Sequence, residues 1–247
     1  MLLNTTDPLM ILRINHGKVN AFDLDLVRAI SHQVQDLGPA KGVVITGTDR
    51  IFSAGVNLTR LLENDVAYTA AFVTELDALV QSIFELSVPM VAALTGHAIA
   101  GGACLLAAAC DYRVMAQGRI GVTEALVGLP VPPASLEVLR FTAGSRTAGL
   151  VLSGRTVEAN EALALGLIDE VTTQDSVERR AVEVAGQFAS TPAQTFALHK
   201  QMLRADARRR IREALTDHAT LVAQAWTGGG TPPAVRGRLH VKLKSHK

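Results

Sequence analysis

Aromatic residues are scarce in this sequence: they make up 4% of its 247 residues, whereas hydrophobic residues as a whole make up 48%. Ala, Val and Leu therefore supply most of the apolar surface, which suits close-packed helices and buried strands better than an aromatic-rich β-sandwich. The length and the apolar content predict one large domain, or one domain with a small appended piece.

Neither sign of charge dominates, because 24 Lys and Arg residues against 23 Asp and Glu residues leave a net charge of +1. This balance gives no general reason to expect a nucleic-acid partner. Two local basic clusters are interpreted as the solvated face of a helix and as a soluble tail. They comprise Arg204, Arg208, Arg209, Arg210 and Arg212, and Lys242, Lys244 and Lys247.

Cysteine and long apolar runs are also nearly absent. Cys104 and Cys110 have no second Cys and no His at metal-ligand spacing, so they are interpreted as core residues of a protein from a reducing compartment, without a metal site. The longest apolar stretch, residues 98–110, is shorter than the roughly 20 residues that span a bilayer. Residues 1–10 lack the pattern of a signal peptide, so the sequence predicts a cytoplasmic protein without membrane contact.

Short apolar strand patterns alternate with helical patterns as far as about residue 130, which predicts βαβ-type crossover units and an α/β core. Helical patterns dominate after Pro133, so the last third should pack on the core or on a neighbouring subunit. The predicted strands are 8–15, 43–46, 90–94, 112–115 and 168–171. The predicted helices are 20–37, 65–86, 100–110, 135–142, 157–165, 177–189 and 192–225.

Two segments have backbone N–H groups suited to binding an oxyanion. In residues 51–58, IFSAGVNL, an apolar strand leads into a turn of small residues, which lets a ligand approach the backbone. In residues 96–103, GHAIAGGA, two glycines open a helix that is apolar on all sides and hence buried. The first-turn N–H groups of such a helix lack internal partners and carry partial positive charge. An ordinary turn and glycines that merely allow tight packing would give the same letters.

A third segment, residues 121–130 (GVTEALVGLP), places Glu124 alone in an apolar run. Glu is seldom buried without a reason, and burial would raise its pKa into a range that suits a general acid or base. A partly exposed Glu at the start of a helix is the alternative interpretation.

Taken in this order, the segments resemble the crotonase superfamily, also called the enoyl-CoA hydratase/isomerase family. The resemblance covers most of the chain and includes residues 18–23 (KVNAFD), the two oxyanion segments, residues 110–114 (CDYRV), and the SGRT and GLIDEV motifs at 153–156 and 166–171.

This resemblance implies a crotonase (ClpP-like) α/β fold of stacked ββα superhelical turns with a helical C-terminal region. It implies a core at 1–190, a C-terminal trimerisation region and basic tail at 191–247, and a homotrimer or dimer of trimers. The implied ligand is an acyl-CoA thioester, with coenzyme A as part of the substrate and no metal or redox cofactor. Its carbonyl would accept from the N–H groups of Ala54 and Gly101, and Lys18, Ala21, Val56, Asn57 and Leu58 would line the CoA path.

The same resemblance bears on the reaction. Hydratases of the family use two glutamates to hold and split water, and the first lies just after the glycines of the second segment. That place here is residues 103–106 (ACLL), whereas Glu124 matches the second glutamate. One carboxylate is enough to move a proton from C2 to C4 of an acyl chain, so the sequence is most similar to single-glutamate isomerases of fatty-acid metabolism. The stretch PVPPA at 130–134, where relatives carry P-G-x-G-G, also departs from a standard hydratase.

We therefore expect a Δ3,Δ2-enoyl-CoA isomerase. An enoyl-CoA hydratase or dehydratase is the first alternative, and a non-catalytic CoA-binding, RNA-binding or structural relative is the second. His97, beside the second segment, is interpreted as structural, Asp111 as a cap or an ion-pair partner, and Trp226 as a core residue. The sequence does not place Glu137.

Overall fold

The computed structural model describes residues 2–6, 8–48 and 50–228, and within them short strands alternate with helices. The strands are β1 (Leu2–Thr6), β2 (Leu9–Arg13), β3 (Gly42–Thr46), β4 (Ile51–Ser53), β5 (Met90–Leu94), β6 (His97–Ile99), β7 (Tyr112–Met115), β8 (Arg119–Gly121), β9 (Val157–Glu158) and β10 (Glu170–Val171). The helices are α1 (Leu24–Gln35), α2 (Leu58–Glu63), α3 (Val66–Glu85), α4 (Ala100–Ala109), α5 (Pro133–Ala143), α6 (Thr147–Ser153), α7 (Ala159–Ala164), α8 (Val177–Ala189), α9 (Ala193–Leu203) and α10 (Ala205–Thr227). Short 3-10 helices form at Glu124–Val127 and Gly144–Arg146.

The strands form two sheets, and the chain passes from one sheet to the other in a regular order. The larger has the order β1-β2-β3-β5-β7-β10 and is parallel except for β1, and the smaller has the order β4-β6-β8-β9 and is parallel except for β9. Each of the pairs β3–β4, β5–β6 and β7–β8 puts its first strand in the larger sheet and its second in the smaller one. A helix follows each pair, so the chain forms stacked ββα turns, as predicted.

Apolar sequence determines what lies inside. Every residue of β3 (GVVIT) and of β5 (MVAAL) is buried, as continuous apolar strands of a covered parallel sheet should be. Residues 104–109 of α4 are buried as well, in agreement with a helix that is apolar on all sides. The core cluster contains Phe22, Phe52, Phe72 and Phe84, four of the seven phenylalanines.

Local polar groups set where two of the helices begin. Asn20 has φ +51°, a left-handed conformation, and the Asp23 carboxylate accepts from the Leu26 N–H at 3.0 Å. The helix predicted to start at residue 20 therefore begins at Leu24, because Asp23 is its N-cap. The carboxylate of buried Asp77 on α3 likewise accepts from the N–H groups of Ala134 and Ser135 at the start of α5, and burial raises the pKa of Asp77.

The C-terminal helices are joined to the core by polar side chains. Trp226 on α10 is buried, and its Nε1–H donates to the Pro130 carbonyl at 2.9 Å. Arg204, between α9 and α10, is only 6% exposed and pairs with Asp111 at 2.8 Å, so its assignment to a solvated helix face was wrong. The other members of that cluster, Arg208, Arg209, Arg210 and Arg212, are exposed or half-buried. Arg204 differs from them in being buried itself.

Other differences from the prediction are local. The helix predicted at 192–225 breaks at Arg204 into α9 and α10. The strands β6 and β8 have only three residues each, too few to give a clear pattern, and β1 was not predicted. The boundary at residue 190 stays a prediction, and Lys242, Lys244 and Lys247 lie outside the described residues. In the described part of the chain, no helix combines the length and the apolar character needed to cross a membrane.

Candidate active site

The three segments singled out in the sequence meet at one edge of the smaller sheet. Strands β4, β6 and β8 run parallel, so their carboxyl ends lie at the same edge. Ser53 is paired with Ala98, and Ile99 with Gly121. The turn after β4, the first turn of α4 and the loop that leads to Glu124 therefore start side by side.

The N–H of Ala54 is already used within the fold. It donates to the carbonyl of Val19 at 3.0 Å, which ties the turn after β4 to the segment before α1. A donor committed to a backbone carbonyl is not available for a substrate oxygen. The prediction that Ala54 supplies an oxyanion donor was therefore wrong.

The N–H of Val56, unlike that of Ala54, points away from the segment before α1. The Gly55 carbonyl accepts from the Phe22 N–H at 2.7 Å, and in a trans peptide group the N–H points opposite to the carbonyl. The Val56 N–H therefore points away from Phe22. On that turn's other flank lies the start of α4, since a Cβ added to Gly55 would be 2.4 Å from the Ile99 carbonyl oxygen and from the Ala100 Cβ.

Gly101 is the second residue of α4, so its N–H belongs to the first helical turn and has no acceptor inside the helix. Ile99, the N-cap residue, has no polar side-chain atom that could satisfy it. Ala100 has φ +65°, a left-handed conformation that costs a residue with a Cβ roughly 1–2 kcal/mol. This sharp bend directs the start of α4 at the turn that contains Val56. The role of Gly101 as a donor stays a prediction.

Gly55 is the residue at which the two N–H segments touch, and we expect Gly55→Ala to impair catalysis more than stability alone explains. Its φ is +89°, and a Cβ would collide with both Ile99 and Ala100 at 2.4 Å, so the turn and α4 must separate. A displacement of about 1 Å at a reacting centre costs on the order of 100-fold in rate. The measurement is kcat/KM on an enoyl-CoA substrate beside the thermal midpoint.

Gly149→Ala is the matched control, because a Cβ at this position on α6 meets nothing within 4 Å. It should leave both quantities unchanged or raise the midpoint slightly. Full activity of Gly55→Ala would show that the close approach of the two segments is not required.

Along the sequence, Glu124 is the first acidic residue after β8. It begins the 3-10 helix Glu124–Val127 and is only 3% exposed, and its backbone carbonyl accepts from the Leu129 N–H at 3.1 Å. It follows Gly121 by three residues, and Gly101 follows the paired Ile99 by two. The buried carboxylate predicted in the sequence is thus present, beside the start of α4.

Cys104, on the first turns of α4, faces the same region. Burial raises the pKa of the Cys104 thiol to about 12, and the negative charge of Glu124 is the next cause. The thiol therefore stays protonated and cannot act as a second carboxylate near neutral pH. Residues 98–110 contain no Asp or Glu, so α4 supplies no acid either.

The residues predicted to line the CoA path lie around the turn after β4. Lys18 is exposed, and Ala21 precedes Phe22, which bridges Val56. The Asn57 side chain accepts from the Arg60 N–H at 3.2 Å and so caps α2, a role that the sequence did not reveal. Val56, Asn57 and Leu58 are half-buried, and their contact with CoA stays a prediction.

Two further candidates are engaged elsewhere. His97 is exposed, and its Nδ1 accepts from the Arg119 N–H at 3.2 Å, which agrees with a structural role. Glu137 is buried on α5 and pairs with Arg140 at 2.7 Å and with Arg210 at 3.0 Å. Among the described residues, no group of three or more His, Cys, Asp or Glu side chains could hold a metal ion.

A cavity of about 630 Å³ opens between the loop after Glu124, α5, α6 and α10. Ala125 borders it, whereas Glu124 is buried and is not one of its lining residues. Both apolar and charged residues line it. Among its lining residues are Leu129, Val131, Leu136, Glu137, Arg210 and Val222.

Comparison with known proteins agrees with this arrangement. The family model described as "Enoyl-CoA hydratase/isomerase" matches residues 6–227. The mouse protein named "Enoyl-CoA delta isomerase 1, mitochondrial" is 29% identical over 258 aligned positions, which cover 100% of this chain and 87% of the relative. "Probable enoyl-CoA hydratase echA17" of Mycobacterium avium is 35% identical over 199 positions, which cover 78% of this chain and 76% of the relative.

Solved structures support the fold as a whole. The human mitochondrial delta3-delta2-enoyl-CoA isomerase superposes with a TM-score of 0.90 over 100% of this chain and 98% of that one, at 24% identity. A probable enoyl-CoA hydratase, EchA3 of Mycobacterium tuberculosis H37Rv, gives 0.84 over 91% and 96%, at 29% identity. The fold is the crotonase fold. With a family model that covers nearly all described residues and a site at the edge where its motifs meet, the chain belongs to the enoyl-CoA hydratase/isomerase family.

Proposed function

We propose that this protein is a Δ3,Δ2-enoyl-CoA isomerase that moves a proton through Glu124. The observation that carries this proposal is one buried carboxylate, Glu124, together with the absence of any carboxylate from residues 103–106, the stretch in which hydratases of the family carry their other glutamate. One carboxylate can remove a proton and return it two carbons away. Splitting water requires a second acid or base.

The oxyanion site in this proposal consists of the N–H groups of Val56 and Gly101. The 3-enoyl thioester places its carbonyl oxygen between them, and the Glu124 carboxylate takes a proton from C2. The electrons of that C–H bond pass into the carbonyl, and the resulting dienolate oxygen accepts from both N–H groups. Each donor of this kind is worth about 2.7–4 kcal/mol in comparable sites. Glu124 then returns the proton to C4, the C3–C4 double bond moves to C2–C3, and no atom is gained or lost.

The acyl-CoA substrate class rests on the family and on the turn after β4. Lys18, Ala21 and the half-buried residues 56–58 border that turn, so we assign the pantetheine and nucleotide path to them. Coenzyme A enters as part of the substrate, and the proposed steps need no other cofactor.

Hydration of a 2-enoyl-CoA is the second candidate, and a specific observation favours it: the Mycobacterium avium relative, at 35% identity, carries the name of a probable enoyl-CoA hydratase. In that reaction Glu124 would activate water alone. The absence of a carboxylate from residues 98–110 argues for slow hydration at most.

We also propose that the chain forms a homotrimer or a dimer of trimers, and that it acts in the cytoplasm. The apolar side chains that α6 and α9 leave in solvent support association. Leu152 is 81% exposed, and Met202 and Leu203 are 66% and 75% exposed. Leu152 also lines the 630 Å³ cavity.

Incubation with a 3-enoyl-CoA and, separately, with a 2-enoyl-CoA tests the function by product mass. We expect the 3-enoyl substrate to change its double-bond position at constant mass and the 2-enoyl substrate to gain water slowly or not at all. Rapid gain of one water by the 2-enoyl substrate would overturn the isomerase assignment in favour of a hydratase. No reaction with either substrate would favour a non-catalytic relative.

A further inference from the structure

The Ser53 side chain makes two hydrogen bonds. One lies within the turn that contains Val56, and the other reaches the segment before α1. Ser53 is the last residue of β4 and is fully buried, at 0% exposure. Its hydroxyl donates to the Asn20 carbonyl at 2.6 Å, and its oxygen accepts from the Gly55 N–H at 3.0 Å. One hydroxyl thus joins the turn to the segment before α1 and fixes the residue that precedes Val56.

Asn20, whose backbone carbonyl accepts from the Ser53 hydroxyl, is itself held by hydrogen bonds of its side chain. Its side-chain amide donates to the carbonyls of Ile14 at 3.1 Å and Phe52 at 3.2 Å, and its Oδ1 accepts from the His16 N–H at 2.8 Å. Asn20 is 1% exposed and holds a φ of +51°. The carbonyl that accepts from the Ser53 hydroxyl therefore belongs to a residue whose side chain makes three further hydrogen bonds.

The direction of the Val56 N–H depends on these contacts because Gly55 has no side chain to restrict it. Gly55 can occupy many backbone conformations, and its φ of +89° is one that other residues rarely adopt. Its N–H is held by Ser53, and its carbonyl is held by Phe22. When the hydroxyl is removed, the Gly55 N–H loses its restraint, and the peptide group between Gly55 and Val56 is held by the bond from Phe22 alone, so its orientation is less well fixed.

We infer that the Ser53 hydroxyl is a positioning group that aims the Val56 N–H at the thioester oxygen, a role that rests on the enolate chemistry proposed above. Ser53 touches no reacting atom in this scheme and acts through Gly55. Its loss should therefore weaken the interaction with the developing oxyanion while binding of the rest of the acyl-CoA stays the same.

Ser53→Ala tests this role in the full-length protein. We expect kcat on a 3-enoyl-CoA to fall by roughly 10- to 100-fold, a share of what the loss of a whole oxyanion donor costs. KM and the Kd of a saturated acyl-CoA should change less than about 3-fold, because the ligand's remaining contacts persist. Ser53→Thr, which keeps the hydroxyl, should restore most of kcat.

Thr46→Val is the matched control. Thr46 is also 0% exposed, and its hydroxyl donates to a backbone carbonyl, that of Ala93 at 3.2 Å, but it lies on β3 and not in the turn. This variant should lose stability to a similar degree and keep kcat. Should Ser53→Ala fail to fold, Ser53→Cys keeps the side-chain shape with a weaker acceptor and should show a smaller fall in kcat at constant KM.

An infrared measurement separates this role from the proposed reaction. The stretching band of a saturated acyl-CoA labelled with ¹³C at the thioester carbonyl should shift to lower frequency on binding to the wild type, and the shift should shrink in Ser53→Ala. If wild type neither isomerises a 3-enoyl-CoA nor exchanges C2 protons with D₂O, the proposed function fails, but the band still tests Ser53. An unchanged band and an unchanged kcat in Ser53→Ala would overturn the positioning role.

Discussion

Glu124→Gln should reduce isomerisation of a 3-enoyl-CoA by on the order of 1000-fold or more. Proton transfer by a positioned side chain contributes about 10²- to 10⁴-fold, and the proposed reaction uses Glu124 for both of its proton transfers. Gln has nearly the same shape but cannot accept a proton from carbon. Since the side chain is only 3% exposed and adjoins Cys104, water has little access to take its place.

Binding should survive the same change. The proposed oxyanion donors, the N–H groups of Val56 and Gly101, and the proposed CoA path do not include the carboxylate, so the Kd of a saturated acyl-CoA should stay within about 3-fold of the wild-type value. Rates are measured by product mass, and binding by titration with the saturated ligand. The readout distinguishes a catalytic residue from a structural one, because a collapsed site would lose both.

Glu137→Gln is the matched control for burial. Glu137 is 5% exposed, but Arg140 and Arg210 already occupy its oxygens. The Glu137→Gln variant should keep kcat within a few-fold of the wild-type value even if its free energy of unfolding falls. If Glu124→Gln kept turnover and Glu137→Gln lost it, the assignment of the proton shuttle to Glu124 would be refuted.

How much of this site could be predicted follows from what a sequence encodes. The family resemblance implied that the β4 turn, the start of α4 and Glu124 serve one site, and the paired strands of the smaller sheet place these three segments side by side. The direction of one N–H is not encoded in that way. It depends on which carbonyl each peptide group faces, and residue letters do not distinguish the N–H of Ala54, bound to Val19, from that of Val56.

Side-chain burial outside the core strands was predicted less well for a related reason. Arg204 looks like its neighbours Arg208 and Arg209 in the sequence, and only the fold brings Asp111 next to it. Ser53 and Asn20 were part of the predicted motifs, but their bonds join residues 33 positions apart. A partner that is distant in the chain gives no local pattern, and such contacts appear only when the fold is assembled.

Asp111 is the partner for which a second large effect is expected: Asp111→Ala should lower the free energy of unfolding by about 3–5 kcal/mol at pH 7. Its carboxylate accepts from Lys200 at 2.8 Å, from Arg204 at 2.8 Å and from the Met90 N–H at 2.8 Å. Lys200 and Arg204 are 7% and 6% exposed, so removal of the carboxylate leaves two buried cations uncompensated. Urea unfolding at pH 7 measures the loss.

Asp206→Ala is the control on the same helical region. Asp206 pairs with Arg209 and Arg210 at the surface, where ion pairs are screened by solvent, and its removal should leave the urea midpoint nearly unchanged. An Asp111→Ala variant as stable as Asp206→Ala would contradict the view that this buried carboxylate holds α9 and α10 to the core.

Removal of one cation should affect the free energy of unfolding in the opposite direction to removal of Asp111, because the cluster has two cations for one carboxylate. Burial lowers the pKa of Lys200 from 10.5 to about 8, with Asp111 opposing the shift and Arg204 adding to it. The folded pKa lies below the unfolded one, so between about pH 8 and 10.5 the unfolded chain binds more protons and the wild type gains stability as pH rises.

Lys200→Met lacks this group. Its stability relative to wild type should therefore be most favourable at pH 7 and should decline by up to about 1.4 kcal/mol per pH unit through that window. Comparison of the two proteins cancels the contributions of Cys104 and Tyr112, whose pKa values do not depend on Lys200. A difference that stays constant from pH 7 to 9.5 would mean that Lys200 keeps its ordinary pKa and that Asp111 compensates both cations fully.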